Sequence, residues 1–213
     1  MQLGLTADEV LTTTRAVRKR LDLERPVERE VLMECVDIAL QAPTGSNRQG
    51  WHFMFVTDPE KKRALAELYG KNFDPYVNTP GPQYGEGDVR AERHDYVRGS
   101  AMHLREHFHE VPVLMIPLIE GRAEGADTFV QASFWGSLLP AVWSFMLAAR
   151  ERGLGTAWTT LHLPDERAAA DLLGIPYDRY SQAGLFPIAY TKGTDFQLAK
   201  RLPATDVSHF DSW

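Results

Sequence analysis

The sequence predicts an α+β fold built as one domain over residues 1–213. Three observations support this class. Helical periodicity and short apolar strands follow one another along the chain, no internal repeat is present, and 213 residues are enough for one substantial core. The composition, with 44% hydrophobic and 24% charged residues, is that of an ordinary globular protein.

Ten segments carry the pattern of a regular element. Helices are expected over residues 6–19, 28–41, 58–70, 90–110, 128–152 and 165–174, and strands over residues 51–57, 111–119, 155–161 and 183–190. Several ends are set by local residues. Pro43 cannot continue the second helix, and Asp58-Pro59 is an N-cap followed by proline at the first helical position. Gly70 and Gly153 are typical helix stops.

The predicted helix over residues 128–152 is apolar on nearly every side, with a kink expected at Pro140. Such a helix must be buried, either in the core of a monomer or against another subunit. The pattern leaves both alternatives open. The tail, residues 195–213, has no clear periodicity yet carries three aromatic residues.

Charge and cysteine content narrow the class of function. The net charge of −6 argues against nucleic acid as the main partner, because a nucleic-acid-binding protein favours a basic face. No apolar run is expected to reach the length needed to cross a bilayer, and the N-terminus does not have the pattern of a signal peptide. The single cysteine, Cys35, cannot form an internal disulfide, so we expect a cytoplasmic protein.

Residues 71–89 are rich in Pro, Gly, Asn and Asp, and also contain Phe73, Tyr76 and Tyr84. This composition favours a loop or lid over a site rather than a linker between domains. Residues 71–89 and the predicted helix that follows them together form a predicted lid over residues 71–110. We expect the three aromatic rings to stack on a substrate.

Four short motifs carry the chemistry, and they are TTRAVR at 13–18, APTGSNRQGW at 42–51, GLGTAWTT at 153–160 and KRLP at 200–203. On a helix, Arg15 and Arg18 would share a face and could grip a phosphate together, although a solvated basic helix end is the alternative. The second motif holds more hydrogen-bonding groups than a turn requires. The third contains GxG without GxGxxG and follows a helix, so a Rossmann site is unsupported.

A motif of another class lies in the predicted lid helix. His103, Glu106 and His107 match the H-x-x-E-H pattern of zinc proteases, with both histidines on one helix face. A zinc hydrolase would use the histidines as ligands and Glu106 as general base, and would need a further carboxylate ligand. This stretch is rich in histidine, so a chance match is the competing interpretation.

In order and spacing, the four motifs resemble those of the FMN-dependent nitroreductases, and HFMFVTDPEK after the second motif matches as well. The resemblance covers nearly the whole chain. It implies a central mixed, mostly antiparallel sheet flanked by helices, in an intertwined homodimer whose tail (195–213) wraps the partner subunit. Thr14 and Ala16 stand where the family commonly has Arg and Ser, and Gly50 replaces a Pro.

The resemblance also implies a set of FMN-binding positions, and by position these are Arg15, Ala16, Arg18, Pro43, Thr44, Gly45, Ser46, Asn47, Trp158, Thr159, Thr160, Leu161, Lys200 and Arg201. The basic residues would hold the phosphate and ribityl chain, and Arg18 would also reach the N1–C2=O edge of the ring. Residues 158–161 would back the isoalloxazine. Residues 43–47 would lie against a flavin, in this family usually that of the second subunit. No catalytic side chain and no metal is implied.

The implied activity is that of an oxidoreductase that takes hydride from NADH or NADPH onto FMN and then reduces a nitroaromatic, quinone or similar acceptor by a ping-pong mechanism. The cofactor carries this chemistry, and the protein orients it. Three alternatives remain. They are a reductive dehalogenase resembling iodotyrosine deiodinase, an enzyme like that of cobalamin lower-ligand synthesis, and a flavin-binding protein with little turnover. The expected partners are a second copy and a small-molecule acceptor, with no nucleic acid and no membrane.

Overall fold

An antiparallel sheet lies at the centre of the computed structural model, which describes residues 2–85, 87–88 and 90–213. Its strands are β1 (Trp51–Val56), β2 (Val113–Glu120), β3 (Leu154–Thr156), β4 (Tyr180–Gln182) and β5 (Phe186–Tyr190). They run in the order β1-β2-β5-β3, and β4 pairs with β2. The α-helices of the described residues are α1 (Ala7–Thr13), α2 (Arg29–Ala39), α3 (Pro59–Val77), α4 (His94–His107), α5 (Thr128–Gly136), α6 (Leu139–Glu151) and α7 (Glu166–Leu173).

The central strand β2 separates two hydrophobic cores, because successive side chains of a strand point to opposite faces. On one face Met115 belongs to a cluster with Cys35 of α2 and Phe145 of α6. On the other face Leu114 packs in a cluster that contains Leu65 of α3. Helices therefore flank an antiparallel sheet, and the predicted α+β class is confirmed. The predicted strand 155–161 is shorter than expected, and β4 was not predicted.

The first helix ends six residues earlier than the pattern suggested. The hydroxyls of Thr12, Thr13 and Thr14 donate to the carbonyls four residues back, and Thr14 has extended backbone angles. Threonine hydroxyls compete for helix backbone groups, which favours termination. Arg15 and Arg18 are therefore not on one helix face, and that part of the prediction is wrong. They lie in a segment that pairs with β3 through a 2.8 Å hydrogen bond from the Val17 N–H to the Thr156 carbonyl.

Helix α3 does not stop at Gly70 but continues to Val77, so residues 71–77 are helical rather than part of a loop. Gly70 is buried, and a Cβ there would meet the guanidinium of Arg105 on α4. The absence of a side chain at Gly70 therefore allows α4 to pack closely against α3. The local sequence could not distinguish that use from a helix stop.

The apolar stretch predicted as one kinked helix forms two helices, α5 and α6, separated at Ser137 and Leu138. Pro140 lies in the first turn of α6, where its missing N–H costs nothing. Helix α6 is largely buried, whereas α5 has no buried residue, and its Phe129 is 79% exposed. By length and composition the segment Thr128–Glu151 does reach the size of a membrane span, contrary to the sequence expectation.

Gly155 permits the contact that holds residues 15–18 against β3. A Cβ at this position would lie 2.9 Å from Val17 Cβ and 2.8 Å from Thr191 Cγ2. We predict that Gly155→Ala lowers the free energy of unfolding by about 1–3 kcal/mol, because a methyl group must be forced into a packed interface. Urea titration followed by tryptophan fluorescence measures this change.

Gly99→Ala is the matched control, since Gly99 lies in α4 with open space where its Cβ would be. There alanine should be neutral or stabilising by up to about 1 kcal/mol. Equal destabilisation by both substitutions would contradict the role given to Gly155.

Candidate active site

A cavity of about 670 Å³ opens between α3, α4 and the segment after β3. Small-molecule sites usually have volumes of about 300–1,000 Å³. Eight residues that the sequence assigned to a flavin or substrate site line this cavity together, and they are Arg18, Phe73, Tyr76, Tyr84, Trp158, Thr159, Thr160 and Leu161. Tertiary contacts thus collect side chains from separate parts of the chain around one space.

The segment of residues 158–161 is held in place from behind. The Leu185 N–H donates to the Thr159 carbonyl at 2.8 Å, and the Trp158 indole Nε1–H donates to the Ala183 carbonyl at 3.1 Å. Gly184 has φ +157, and a Cβ on it would lie 2.8 Å from the Thr159 carbonyl oxygen. The close approach therefore requires glycine at this position. One wall of the cavity is consequently rigid backbone that can present polar groups to a planar ligand.

Arg18 enters the cavity half-buried, and burial lowers the pKa of its guanidinium. Tyr69 lines the same cavity, and burial raises the pKa of its phenol to about 12. Among the described residues, no carboxylate pairs with Arg18. A desolvated guanidinium without an anion is suited to an electron-rich ligand edge.

A second basic cluster involves Arg15. Burial lowers the pKa of Arg15, and the nearby guanidinium groups of Arg201, Arg93 and Arg150 lower it further. Arg150 is 5% exposed, and its buried Nη1 has no hydrogen-bond partner among the described residues. Glu151 raises the pKa of Arg150 in part, but among the described residues none of the four guanidinium groups forms a salt bridge. Converging like charges of this kind are characteristic of a site for a polyanion such as phosphate.

Lys200 and Ala16, both assigned to FMN, contact other groups. The Lys200 Nζ lies 2.6 Å from an oxygen of Glu92, just before α4. Ala16 is exposed and forms an isolated bridge with Thr156. Neither lines the cavity in this chain.

The loop of residues 43–47 does not line the cavity of its own chain. It contacts the junction between α5 and α6 through a 2.9 Å hydrogen bond from the Gly45 N–H to Ser137 Oγ. Ser46 and Asn47 have φ values of 52 and 54, and left-handed backbone costs roughly 1 kcal/mol for a residue such as serine. Thr44 Oγ1 accepts from the Gln49 N–H at 3.2 Å, so part of the surplus hydrogen bonding is used inside the loop.

The three lid aromatics differ in exposure. Tyr76 is 61% exposed at the end of α3, whereas Phe73 is 4% exposed and packs on Tyr69 with ring centroids 5.6 Å apart. Phe73 therefore supports the wall rather than offering a free ring. Tyr84 is half-buried, with its ring centroid 6.4 Å from that of His94.

The histidine motif does come together on α4, since ligand atoms of His103, Glu106 and His107 lie within 4.8 Å of one another. The His107 Nδ1 is 2.9 Å from a Glu110 oxygen. A catalytic zinc needs three protein ligands in addition to its general base. With Glu106 as the base, the described residues supply two, so this cluster does not fit a zinc hydrolase.

Ten further residues line the cavity that were not named individually from the sequence. All but Tyr69 lie in the predicted lid of residues 71–110, and they are Tyr69, Val77, Thr79, Pro80, Gly81, Pro82, His94, Val97, Arg98 and Ala101. Four of them follow helical spacing on α4: His94, Val97, Arg98 and Ala101. The spacing was visible in the sequence. What it could not indicate was which face of α4 would meet the cavity.

Comparisons with known proteins identify the family and the fold. A model of the Nitroreductase family matches residues 11–190. A 4-nitrobenzoate reductase of Nocardioides sp. is 26% identical over 202 residues, covering 84% of this chain and 78% of the relative.

Two solved structures share the fold. One is an iodotyrosine deiodinase bound to FMN and 3-iodo-L-tyrosine, with a TM-score of 0.72, 21% identity, and coverage of 96% of this chain and 98% of that one. The other is the FMN-dependent nitroreductase NfnB from Mycobacterium smegmatis in complex with NADPH, with a TM-score of 0.68, 19% identity, and coverage of 97% and 98%. Because the family model spans most of the chain and the shared fold extends over nearly all of it, this protein belongs to the nitroreductase family of oxidoreductases.

Proposed function

We propose that the protein binds FMN, takes hydride from NADH or NADPH, and reduces electron-poor aromatic acceptors such as nitroaromatics or quinones. The observation that carries this proposal is a cavity of about 670 Å³ lined by Arg18 and residues 158–161, with the Arg15 cluster in the same short segment as Arg18. A planar ring with a phosphate tail matches both features. FMN, when bound, supplies the hydride and electron transfer itself.

The chain's own residues have binding and orienting roles in this proposal. Arg15 and Arg201 would hold the phosphate, with Arg150 and Arg93 adding positive charge. Residues 158–161 would support the ring from behind, and Arg18 would place a guanidinium against its polar edge. A positive charge at that edge favours an electron-rich ring, which is how a protein adjusts a cofactor's potential.

We also propose that the protein works as a homodimer. The apolar helix α5 has no buried residue, and other large apolar side chains are exposed: Trp143 (39%), Val207 (62%), Phe210 (87%) and Trp213 (101%). An apolar face of this kind indicates an interface. A second copy would cover α5, receive the tail of residues 195–213, and bring its loop of residues 43–47 to the flavin of the first.

A reductive dehalogenase is the second candidate, because an iodotyrosine deiodinase of Thermotoga neapolitana is 28% identical over 84% of this chain. The aromatic lid residues Tyr76 and Tyr84 would suit a halogenated ring as well as a nitroaromatic one. Parallel assays with 3-iodotyrosine and a nitroaromatic acceptor distinguish the two.

The purified protein should be yellow, with an absorbance band at about 450 nm that NADH or NADPH bleaches without oxygen. Stopped-flow spectroscopy measures the bleaching rate for each nucleotide. A protein that takes up no FMN would overturn the proposal. Bound FMN that neither nucleotide bleaches would favour a flavin-binding protein or a different electron donor.

Arg18→Ala should raise the Kd for FMN at least about tenfold, because a charge-assisted hydrogen bond is worth about 1.5–3 kcal/mol. Quenching of flavin fluorescence measures the Kd. His103→Ala is the control, since His103 lies on α4 and does not line the cavity. An equal loss in both variants would show that the basic segment is not the cofactor site.

Sedimentation should give the mass of two chains. Phe129→Asp should shift the protein towards monomer and weaken FMN binding, because a charge would be buried in the proposed interface. Met102→Asp is the control, as Met102 is 44% exposed on α4. A monomeric wild-type protein that retains FMN would contradict both the dimer and the role of the 43–47 loop.

A further inference from the structure

The cavity is basic although the chain as a whole is acidic. The net charge of the protein is −6, yet the charged or titratable lining residues are Arg18, His94, Arg98 and three tyrosines. In the part of the chain that the structure describes, no aspartate or glutamate lines this space. A cavity of one sign with low-dielectric walls concentrates ligands of the opposite charge.

Arg98 is the basic residue that the proposed flavin site does not use. It lies on the face of α4 that meets the cavity, one turn after His94. Among the described residues it has no ion-pair or hydrogen-bond partner. Arg105 on the same helix differs, because its Nε and Nη2 lie 3.0 and 3.1 Å from the two carboxylate oxygens of Asp74. Arg98 therefore has donors available for a ligand.

Aromatic rings form part of the remaining wall, beside aliphatic and proline side chains. Tyr76 and Tyr84 lie on the lid side, whereas Trp158 belongs to the segment that would support the flavin ring. Rings of this kind bind another ring by stacking or edge contacts. The occupant beside Arg98 should thus combine a planar ring with an anionic group.

We propose that the cavity selects aromatic acceptors that carry a carboxylate, and that Arg98 receives this group with His94 beside it. This inference rests on the proposed reductase function and adds the substrate class to it. A guanidinium binds a carboxylate through two parallel hydrogen bonds, which fixes both the position and the tilt of the attached ring. Arg98 is thus a specificity residue rather than a participant in the redox step.

The test compares 4-nitrobenzoate with its methyl ester, which has the same ring and nitro group but no charge. In the holoenzyme, kcat/KM should favour the acid. Arg98→Gln should lower the acid-to-ester ratio about tenfold or more, because a hydrogen bond to a charged group is lost. Arg63→Gln removes the same charge from an exposed position on α3 outside the cavity, and it should leave the ratio unchanged.

Isothermal titration with benzoate, which has no group to reduce, separates recognition from turnover. Its Kd should rise about tenfold in Arg98→Gln and stay constant in Arg63→Gln. A further outcome is a wild-type holoenzyme that reduces neither acceptor, while the Kd for benzoate still rises in Arg98→Gln and stays constant in Arg63→Gln. That result would refute the reductase function and support the carboxylate site.

Two results would overturn the inference. One is an acid-to-ester ratio that Arg98→Gln leaves unchanged, together with an unchanged Kd for benzoate. The other is a raised KM for NADH or NADPH in Arg98→Gln at a constant acid-to-ester ratio, which would assign Arg98 to the nucleotide phosphates.

Discussion

The backbone pairing of residues 16–17 with Thr156 is the constraint on which the candidate site depends. It brings the Arg15–Arg18 segment against β3, and Gly155 leaves the space for Val17 that this pairing needs. From β3 the chain runs directly into residues 158–161. One short contact therefore holds the segment that carries both arginines beside β3, and of the two Arg18 lines the cavity.

The cavity has one buried, rigid wall and one side formed by exposed side chains. Buried β2 and the contacts of Thr159 with Leu185 make the wall behind the cavity rigid, which suits the positioning of a cofactor. The opposite side comes from the end of α3, the segment after it and α4, where side chains such as Tyr76 and Arg98 are exposed. Selectivity for the acceptor would then change through α4 without disturbing the cofactor wall.

Much of the site was predictable because its motifs are local. The GLGTAWTT and TTRAVR sequences identified residues that do meet around one cavity, and the strand and helix order followed from periodicity. Some elements were misassigned because the role of a residue depends on a neighbour that is distant in sequence. Gly70 looked like a helix stop because its contact with Arg105 cannot be read from adjacent residues. The sequence likewise does not show that the face of α4 with Arg98 meets the cavity, because the orientation of α4 depends on its packing against α3.

The sequence by itself determined the α+β class, the order of its main elements and the family, because hydrophobic periodicity and short motifs are properties of neighbouring residues. Only the tertiary structure decided that Arg15 and Arg18 lie in a non-helical segment paired with β3 and that the 43–47 loop does not line its own chain's cavity. It also decided that α5 has no buried residue in the single chain. These outcomes depend on contacts between residues far apart in sequence, and such contacts set which face of each element is buried and which faces a ligand.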